Sequence, residues 1–316
     1  MIQEFIVTRQ GEFAALLTAF FWTITALAFE SASKKVGSLS VNLIRLVIAF
    51  FLLGIFSWIV RGMFFPTDAA PHNWIWLSLS GLVGFVLGDL FLFRAYVVVG
   101  ARISMLIMAL APPIAAIIGW FVMGEKLTLQ QLAAMVVTFA GIALVILKRE
   151  IDEPELLDGV IAPKGNRKKV KFSYPISGIL LAFGGAVGQG GGLVLSKFGM
   201  ADYDVFAAVQ IRVLTGVVGF AGLFLVLNRW KALGKALKNG KAMARLSVGA
   251  FFGPFLGVSF SLWAVKYTTT GVASAIMSIV PVLIIPPSIW ILKEKFNPKE
   301  FIGAFIAIAG VVLFFI

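Results

Sequence analysis

The sequence predicts an all-α membrane protein with ten transmembrane helices, arranged as two inverted-topology five-helix repeats. Hydrophobic residues make up 60% of the chain and charged residues 13%, and the mean hydropathy is +0.98. Soluble domains have about 45–50% apolar and about 25% charged residues. The chain also contains ten apolar runs of roughly the length that crosses a bilayer, and its second half repeats its first.

The internal repeat is clearest between residues 109–147 and 278–316. Each copy has an apolar helix with proline, a Glu-Lys turn and a second apolar helix with glycine near its end. At a constant offset of 169 residues, the aligned pairs include Pro112 and Pro281, Glu125 and Glu294, Gly141 and Gly310, Gly84 and Gly253, and Gly88 and Gly257. We therefore predict a first repeat over 1–147, a charged linker over 148–173 and a second repeat over 174–316.

Runs of roughly 20 apolar residues define the ten predicted helices, five in each repeat. The residues before the first run include Glu4 and Glu12 and do not form the basic segment of a signal peptide, so we expect this helix to be retained. Numbered α1 to α10 in chain order, the helices cover 13–33, 40–60, 74–98, 103–123, 129–147, 174–196, 204–227, 246–267, 272–292 and 299–316.

The distribution of lysine and arginine predicts the orientation. The loops after α1, α3, α5, α7 and α9 hold 19 of these residues, and the opposite side of the helices holds 5. The positive-inside rule makes the first side cytoplasmic, with the linker inside and both termini outside a cell (inner) membrane. Since each repeat has an odd number of helices, the two repeats cross the membrane in opposite senses, as in many secondary transporters.

Two loops carry distinctive charge patterns. The linker is acidic over 150–158 and basic over 164–171, which is most simply explained by a flexible linker. Trp230, Leu233 and Leu237 recur among lysines with the spacing of an amphipathic helix that lies on an anionic lipid surface. A solvated loop explains the same residues, and the sequence leaves both interpretations open.

Charged residues inside the predicted helices are candidates for function, because a charge at bilayer depth is costly. Asp89 is the first candidate for a protonatable group, with Arg94 or Arg45 as its neighbour and Glu30 as the alternative, which makes protons the candidate coupling ion. The alternative is that Asp89 pairs with Arg94, and Glu30 with Arg45, only to hold the helices in register. In either case we expect these four residues to form one polar cluster in the cytoplasmic half of α1, α2 and α3. In the second repeat Arg212 is the deepest charge, and it favours anionic or zwitterionic solutes.

Other candidates for a binding site come from α1, α6 and α8. Six glycines surround Gln189 between positions 184 and 192; close helix packing explains most of them, and Gln189 is the residue expected to line a cavity. Trp22 and Trp263 lie well inside their helices, where they would wall a small-molecule pocket. Alternatively, both tryptophans face the surrounding lipid.

Prolines are expected to bend two helices at equivalent places in the repeats. They are Pro112 and Pro113 in α4, and Pro281, Pro286 and Pro287 in α9. The bends are either static kinks or hinges that gate the cavity during alternating access.

These features resemble the EamA-type carriers of the drug/metabolite transporter superfamily. The resemblance rests on Arg45, Pro112, Gly124-Glu125 and Gly141, repeated as Arg212, Pro281, Glu294 and Gly310. It implies two inverted five-helix repeats around a central cavity lined mainly by α1, α3, α4, α6, α8 and α9. It also implies transport of amino acids, other metabolites, nucleotide sugars or drugs.

We therefore predict a secondary transporter that moves an amino acid or a related zwitterionic solute, with export as the expected direction. A nucleotide-sugar or drug carrier of the same fold is the alternative, followed by a channel or an intramembrane enzyme. The chain has no HExxH or GxSxG motif and no cysteine, and its one histidine, His72, lies in a predicted loop, so we expect no catalytic activity. Its expected partners are a small solute and the lipid bilayer, without cofactor, metal or nucleic acid, as a monomer or homodimer.

Overall fold

The protein is described by a computed structural model. The described residues are 9–123, 128–150, 156–157, 160–161, 169–268, 273, 276–293, 295 and 297–313. The repeated Glu-Lys turns are therefore described only in part. Glu125 and Lys126 of the first turn and Glu294 of the second lie outside the described residues.

The fold is helical, as the sequence predicts, with two sets of five helices. The first repeat contains α1 Gln10–Val36, α2 Ser38–Arg61, α3 Pro71–Val98, α4 in the two parts Gly100–Met108 and Ala111–Met123, and α5 Leu129–Ile146. The second contains α6 Ile176–Met200, α7 Val205–Val226, α8 Gly240–Tyr267, α9 in the parts Val280–Leu283 and Ile285–Leu292, and α10 Pro298–Leu313. Among the described residues, α1 to α8 are each long and apolar enough to cross a membrane, and α9 contributes a shorter apolar helix, Val280–Ile291. The chain is thus a multi-pass membrane protein.

The linker contains short strands, where the sequence suggests only a flexible segment. β1 Leu147–Glu150 continues directly from α5 and pairs antiparallel with β4 Lys169–Phe172. Between them, β2 Leu156–Leu157 pairs with β3 Val160–Ile161. The alternation of lysine with valine and phenylalanine in β4 has the two-residue period of a strand. The side of the bundle that carries this linker is called the linker end below, and the opposite side the far end.

Glycines bring the helices of the two repeats into backbone contact. A Cβ atom placed on Gly192 of α6 would lie 2.9 Å from the Cα atom of Gly84 in α3. In the equivalent pair of helices, a Cβ atom on Gly253 of α8 would lie 2.8 Å from the Thr25 side chain of α1. The glycine-rich stretch of α6 therefore serves close packing at most of its positions. These contacts set the two repeats around a common centre.

Two π-helical segments interrupt α3 and α8 at equivalent positions. They cover Leu82–Gly88 and Phe251–Gly257, and the repeat offset of 169 residues relates one to the other. The sequence predicts plain helices here. Pro254 lies inside the second segment, while the first contains no proline, so a missing N–H group explains only one of the two. π-Helical turns are rare and occur frequently at functional sites.

α4 and α9 also break at equivalent positions, just before Pro112 and Pro281. The amide of Leu110 donates to the carbonyl oxygen of Ile107 at 3.0 Å, and the amide of Ile279 donates to that of Ile276 at 3.2 Å. Both are the tighter three-residue bonds that close a helical turn at its end. A second break follows in α9 at Ile284, before Pro286 and Pro287, and α4 has no counterpart to it.

Candidate functional site

A cavity of about 150 Å³ lies between the repeats, beside both π-helical segments and both helix breaks. Its lining comes from all helices except α5 and α10. The resemblance implies six of these helices, and the structure adds α2 and α7, each through one arginine. Of the residues predicted for the site, those on the cavity wall are Trp22, Arg45, Asp89, Pro112, Gln189, Arg212 and Pro281.

Asp89 is the centre of a buried polar network. It is the first residue of the α-helical turn that follows the π-helical segment of α3, and it is 3% exposed. Its Oδ2 atom accepts from the Arg45 guanidinium, and its Oδ1 atom accepts from Gln189 Nε2 at 2.8 Å. The network therefore joins α2, α3 and α6, and both carboxylate oxygens are occupied.

Asn42 supports this network from α2, although it was not among the predicted site residues. Its Oδ1 atom accepts from Arg45 Nε at 3.0 Å, and its Nδ2 atom donates to the backbone carbonyl of Asp89 at 3.2 Å. Asn42 lies three residues before Arg45, so it faces the same side of α2. This spacing could have indicated from the sequence that Asn42 contacts Arg45.

Arg94 does not belong to the cluster, and the predicted Asp89–Arg94 pair is wrong. Arg94 is exposed on the outside of the bundle. Five residues separate it from Asp89, which turns its side chain by roughly 140° around an α-helix. The partner of Asp89 is Arg45.

Glu30 does not pair with Arg45 either, which corrects the second predicted pair. Its Oε2 atom accepts from the backbone amide of Ala101 at 3.0 Å, and its Oε1 atom lies 2.5 Å from Lys34 Nζ. A carboxylate beside the first turn of a helix is stabilised by the helix dipole. Glu30 thus fastens α1 to the start of α4 at the linker end, away from the cavity wall.

Arg212 faces the cavity from α7, and no described acid lies within ion-pair distance of it. It is 4% exposed, and among the described residues its guanidinium forms no ion pair and no hydrogen bond. Its nearest aromatic contact is the Phe85 ring, whose centroid is 4.9 Å from the Arg212 Cζ atom. The Arg45 guanidinium lies 5.8 Å from the same ring. With one aspartate and two arginines, the described cavity wall has an excess positive charge.

Aromatic side chains form much of the remaining wall. Trp22 lines the cavity from α1, where Gly257 of α8 gives it room, since a Cβ atom on that glycine would lie 2.9 Å from the indole. Trp263 is not on the wall: its ring lies 6.2 Å from Phe206 and 5.5 Å from Tyr267. Pro113, Pro286 and Pro287 also lie outside the lining residues.

A second polar cluster closes the linker end between the repeats. Arg102 Nε at the start of α4 lies 2.6 Å from Glu300 Oε2 in α10, and Tyr174 donates to Glu300 Oε1 at 2.6 Å. Glu300 falls in the first turn of predicted α10 but was not among the predicted site residues. The sequence pattern that could have indicated Glu300 is a helix cap. Asn297 and Glu300 align, at the repeat offset, with Thr128 and Gln131, which form a capping box at the start of α5.

A third cluster joins the loops at the far end. Arg61 Nη2 lies 2.5 Å from Asp68 Oδ2, and Tyr203 donates to the other carboxylate oxygen of Asp68 at 2.8 Å. Burial, followed by this hydrogen bond, raises the pKa of Tyr203 to about 12. Tyr203 is therefore neutral and able to donate at physiological pH.

Comparisons with known proteins agree with this architecture. An uncharacterized transporter from Archaeoglobus fulgidus is 32% identical over 124 residues, which cover 39% of this chain and 40% of that protein. The uncharacterized transporter YetK of Bacillus subtilis is also 32% identical over 124 residues, 36% of its length. A solved protein crystal structure superposes over 96% of both chains with a TM-score of 0.62 at 16% identity, which shows a shared fold.

The two matched transporters are thus covered over less than half of their lengths, whereas one family matches both halves of this chain. That family is the EamA-like transporter family, and the matched residues are 9–147 and 176–316. This double match agrees with the repeat read from the sequence and with the paired π-helical segments and helix breaks. The chain belongs to the EamA-like transporter family.

Proposed function

We propose that this protein is a secondary transporter for a small zwitterionic or carboxylate-bearing solute, an amino acid or a close relative, which it exports by alternating access. The linker end is the cytoplasmic side in this proposal, in agreement with the excess of lysine and arginine there. The cavity between the repeats is the binding site.

Arg212 is the observation on which the solute class depends. A buried guanidinium is costly unless it is paired, yet no acid or hydrogen-bond acceptor contacts it among the described residues. A solute carboxylate beside Arg212 would supply the missing charge. Arginine suits this role because its planar donors bind carboxylates in a bidentate manner.

The size and polarity of the cavity favour an amino acid over a nucleotide sugar. A volume of about 150 Å³ holds on the order of ten water molecules. That is the size of a small metabolite. Trp22, Phe85 and the apolar residues around them suit an apolar side chain, while Gln189 and Asp89 offer partners for an amino group.

The paired helix breaks support alternating access. α4 and α9 each lose regular hydrogen bonding beside the cavity, before Pro112 and Pro281. One end of each helix can then swing while the other end stays packed, and the two breaks are related by the inverted repeat. We propose Pro112 and Pro281 as the principal hinges.

Proton coupling through Asp89 is part of the proposal. Protonation of Asp89 would release Arg45, and deprotonation would restore the ion pair. The site would thus alternate between a proton-bound state and an arginine-paired state as the cavity opens to one side or the other.

Counterflow in proteoliposomes tests the transporter and its solute class together. We expect saturable exchange with amino acids, and a clear preference for an amino acid over its carboxamide. A channel would pass solute without exchange, and an enzyme would alter it. Nucleotide-driven exchange with no response to amino acids would contradict the proposed class.

Variants then test the site. Arg212→Gln should abolish the preference for the carboxylate, whereas Arg94→Gln, the same substitution on an exposed arginine, should keep it. Trp22→Ala should weaken apparent affinity, while Trp263→Ala, away from the wall, should leave it near the parent value. Equal effects of Arg212→Gln and Arg94→Gln would remove Arg212 from the site.

A further inference from the structure

A short helix, Trp230–Leu237, lies between α7 and α8 at the linker end; it is called the surface helix here. Three residues connect it to the end of α7, and two connect it to the start of α8. The last residue of α7, Val226, is 83% exposed, so the outer surface of that helix stays apolar to its end. The short connections hold the surface helix at the level where this apolar surface stops.

The surface helix has three distinct sides. Ala236 is 1% exposed and Leu233 packs against the hydrophobic core, so this side faces the bundle. At 100° per residue, Lys231 and Lys235 lie on the opposite side. Trp230 and Leu237 lie between these two sides and remain 43% and 52% exposed.

Among the described residues, no acid neutralises the basic side. Six basic residues in and around the surface helix are all exposed, and none forms an ion pair with a described residue. They are Arg229, Lys231, Lys235, Lys238, Lys241 and Arg245. The sequence contains no aspartate or glutamate between Val205 and Lys293, so this part of the chain offers no acid of its own.

We infer that the surface helix is a binding site for anionic phospholipid. Its tryptophan and leucine edge sits at the boundary between headgroups and acyl chains, and its lysines contact the negatively charged headgroups. Clusters of four to eight basic residues on an amphipathic helix beside a transmembrane segment have the charge to attract anionic lipids. The exposed Trp230 fits the same boundary, where tryptophan is enriched. The structure has a helix here rather than a loop, which agrees with the first of the two interpretations that the sequence leaves open.

Lipid quenching in the full-length protein tests the inference. The chain has no cysteine, so Leu237→Cys places one fluorescent label on the lipid edge. The protein is reconstituted in phosphatidylcholine vesicles, and the label is quenched with brominated phosphatidylglycerol or with brominated phosphatidylcholine. We expect stronger quenching by phosphatidylglycerol, and a preference that falls as salt is raised.

Lysine variants test whether the surface helix causes the preference for phosphatidylglycerol. Lys231→Gln, Lys235→Gln and Lys238→Gln should each lower it roughly fivefold at low ionic strength. The matched control is K168Q/K169Q/K171Q, which removes three lysines from the linker and should keep the preference. Retained counterflow in every variant shows that the protein is folded.

Two results would overturn the inference. One is equal quenching by the two lipids in the parent protein. The other is an equal loss of preference in the linker control and in the triple variant K231Q/K235Q/K238Q, which would indicate a general effect of net charge.

Discussion

Replacing Asp89 by asparagine removes the acid of the described cavity wall, which also holds two buried arginines, and keeps a side chain of the same size. The Arg45 and Asp89 side chains are 5% and 4% exposed, so water does not compensate the lost charge. Breaking a buried ion pair by removing one partner costs about 3–5 kcal/mol. We expect Asp89→Asn to lower stability by this amount, because Arg45 remains buried and the nearby Arg212 repels it.

The double variant Asp89→Asn/Arg45→Gln separates the pair from its surroundings. Because it leaves no unpaired charge on Arg45, it should recover most of the stability that either single variant loses. Thermal unfolding of the purified protein in detergent gives the four stabilities of the cycle. If each single variant costs less than about 1 kcal/mol, as for an exposed pair, and the costs add, then the two groups do not act as a buried pair.

Transport by the same variant tests proton coupling. If Asp89 carries the coupled proton, Asp89→Asn should still exchange solute for solute but should not accumulate solute under a pH gradient. Arg94→Gln is the control and should keep both activities. Accumulation by Asp89→Asn with the pH dependence of the parent protein would show that Asp89 only holds Arg45 in place.

Three further predictions concern topology, packing and the far end. A single cysteine at Gly240 should resist an impermeant thiol reagent in intact cells while one at Ala201 reacts; the reverse would invert the proposed orientation. Gly188→Val should strongly lower the unfolding temperature because even a Cβ atom there would lie 2.8 Å from the Gly88 amide nitrogen, whereas Gly222→Val, in open space, should not. Because the folded pKa of Tyr203, about 12, exceeds the usual value near 10, its contribution to stability is complete below pH 10 and lost as pH rises through about 12. Tyr203→Phe should remove that alkaline loss in a pH series of unfolding temperatures, and an unchanged profile would contradict this.

The sequence predicted the fold well because the fold depends on signals that are local and repeated. Apolar runs, proline positions and the constant offset of 169 residues can all be read without knowing which helices are in contact. They sufficed for the helices, for the two repeats and for the breaks before Pro112 and Pro281. Gln189 was also predicted from its neighbours, since a polar residue among packing glycines has few other reasons to be there.

The ion pairs were predicted poorly because they depend on helix rotation. A helix that is hydrophobic all round gives no sign of which side faces inward, so Arg45 could be assigned to Glu30 as easily as to Asp89. The Asp89–Arg94 pair could have been excluded from the sequence alone. Residues five apart on a helix are not neighbours, since contacts fall at spacings of three and four.

The π-helical segments were missed for a related reason. An extra residue in a helical turn changes which side of the helix the following residues face, and a largely apolar helix gives little sign of that change. Gly84 and Gly88 were seen to repeat as Gly253 and Gly257, but in sequence a repeated glycine indicates close packing as readily as a change of helix type. Only the backbone of both repeats distinguishes the two.

The residue that follows each π-helical segment differs between the repeats: it is Asp89 in the first and Val258 in the second. Two separate copies of one gene product, inserted in opposite directions, would carry every acid twice and could not alter one copy alone. A single chain that contains both repeats is free of that restriction. In this chain both halves have the same helix geometry and only the first has the acid at this position, so the ionic chemistry of the first half can change without a matching change in the second.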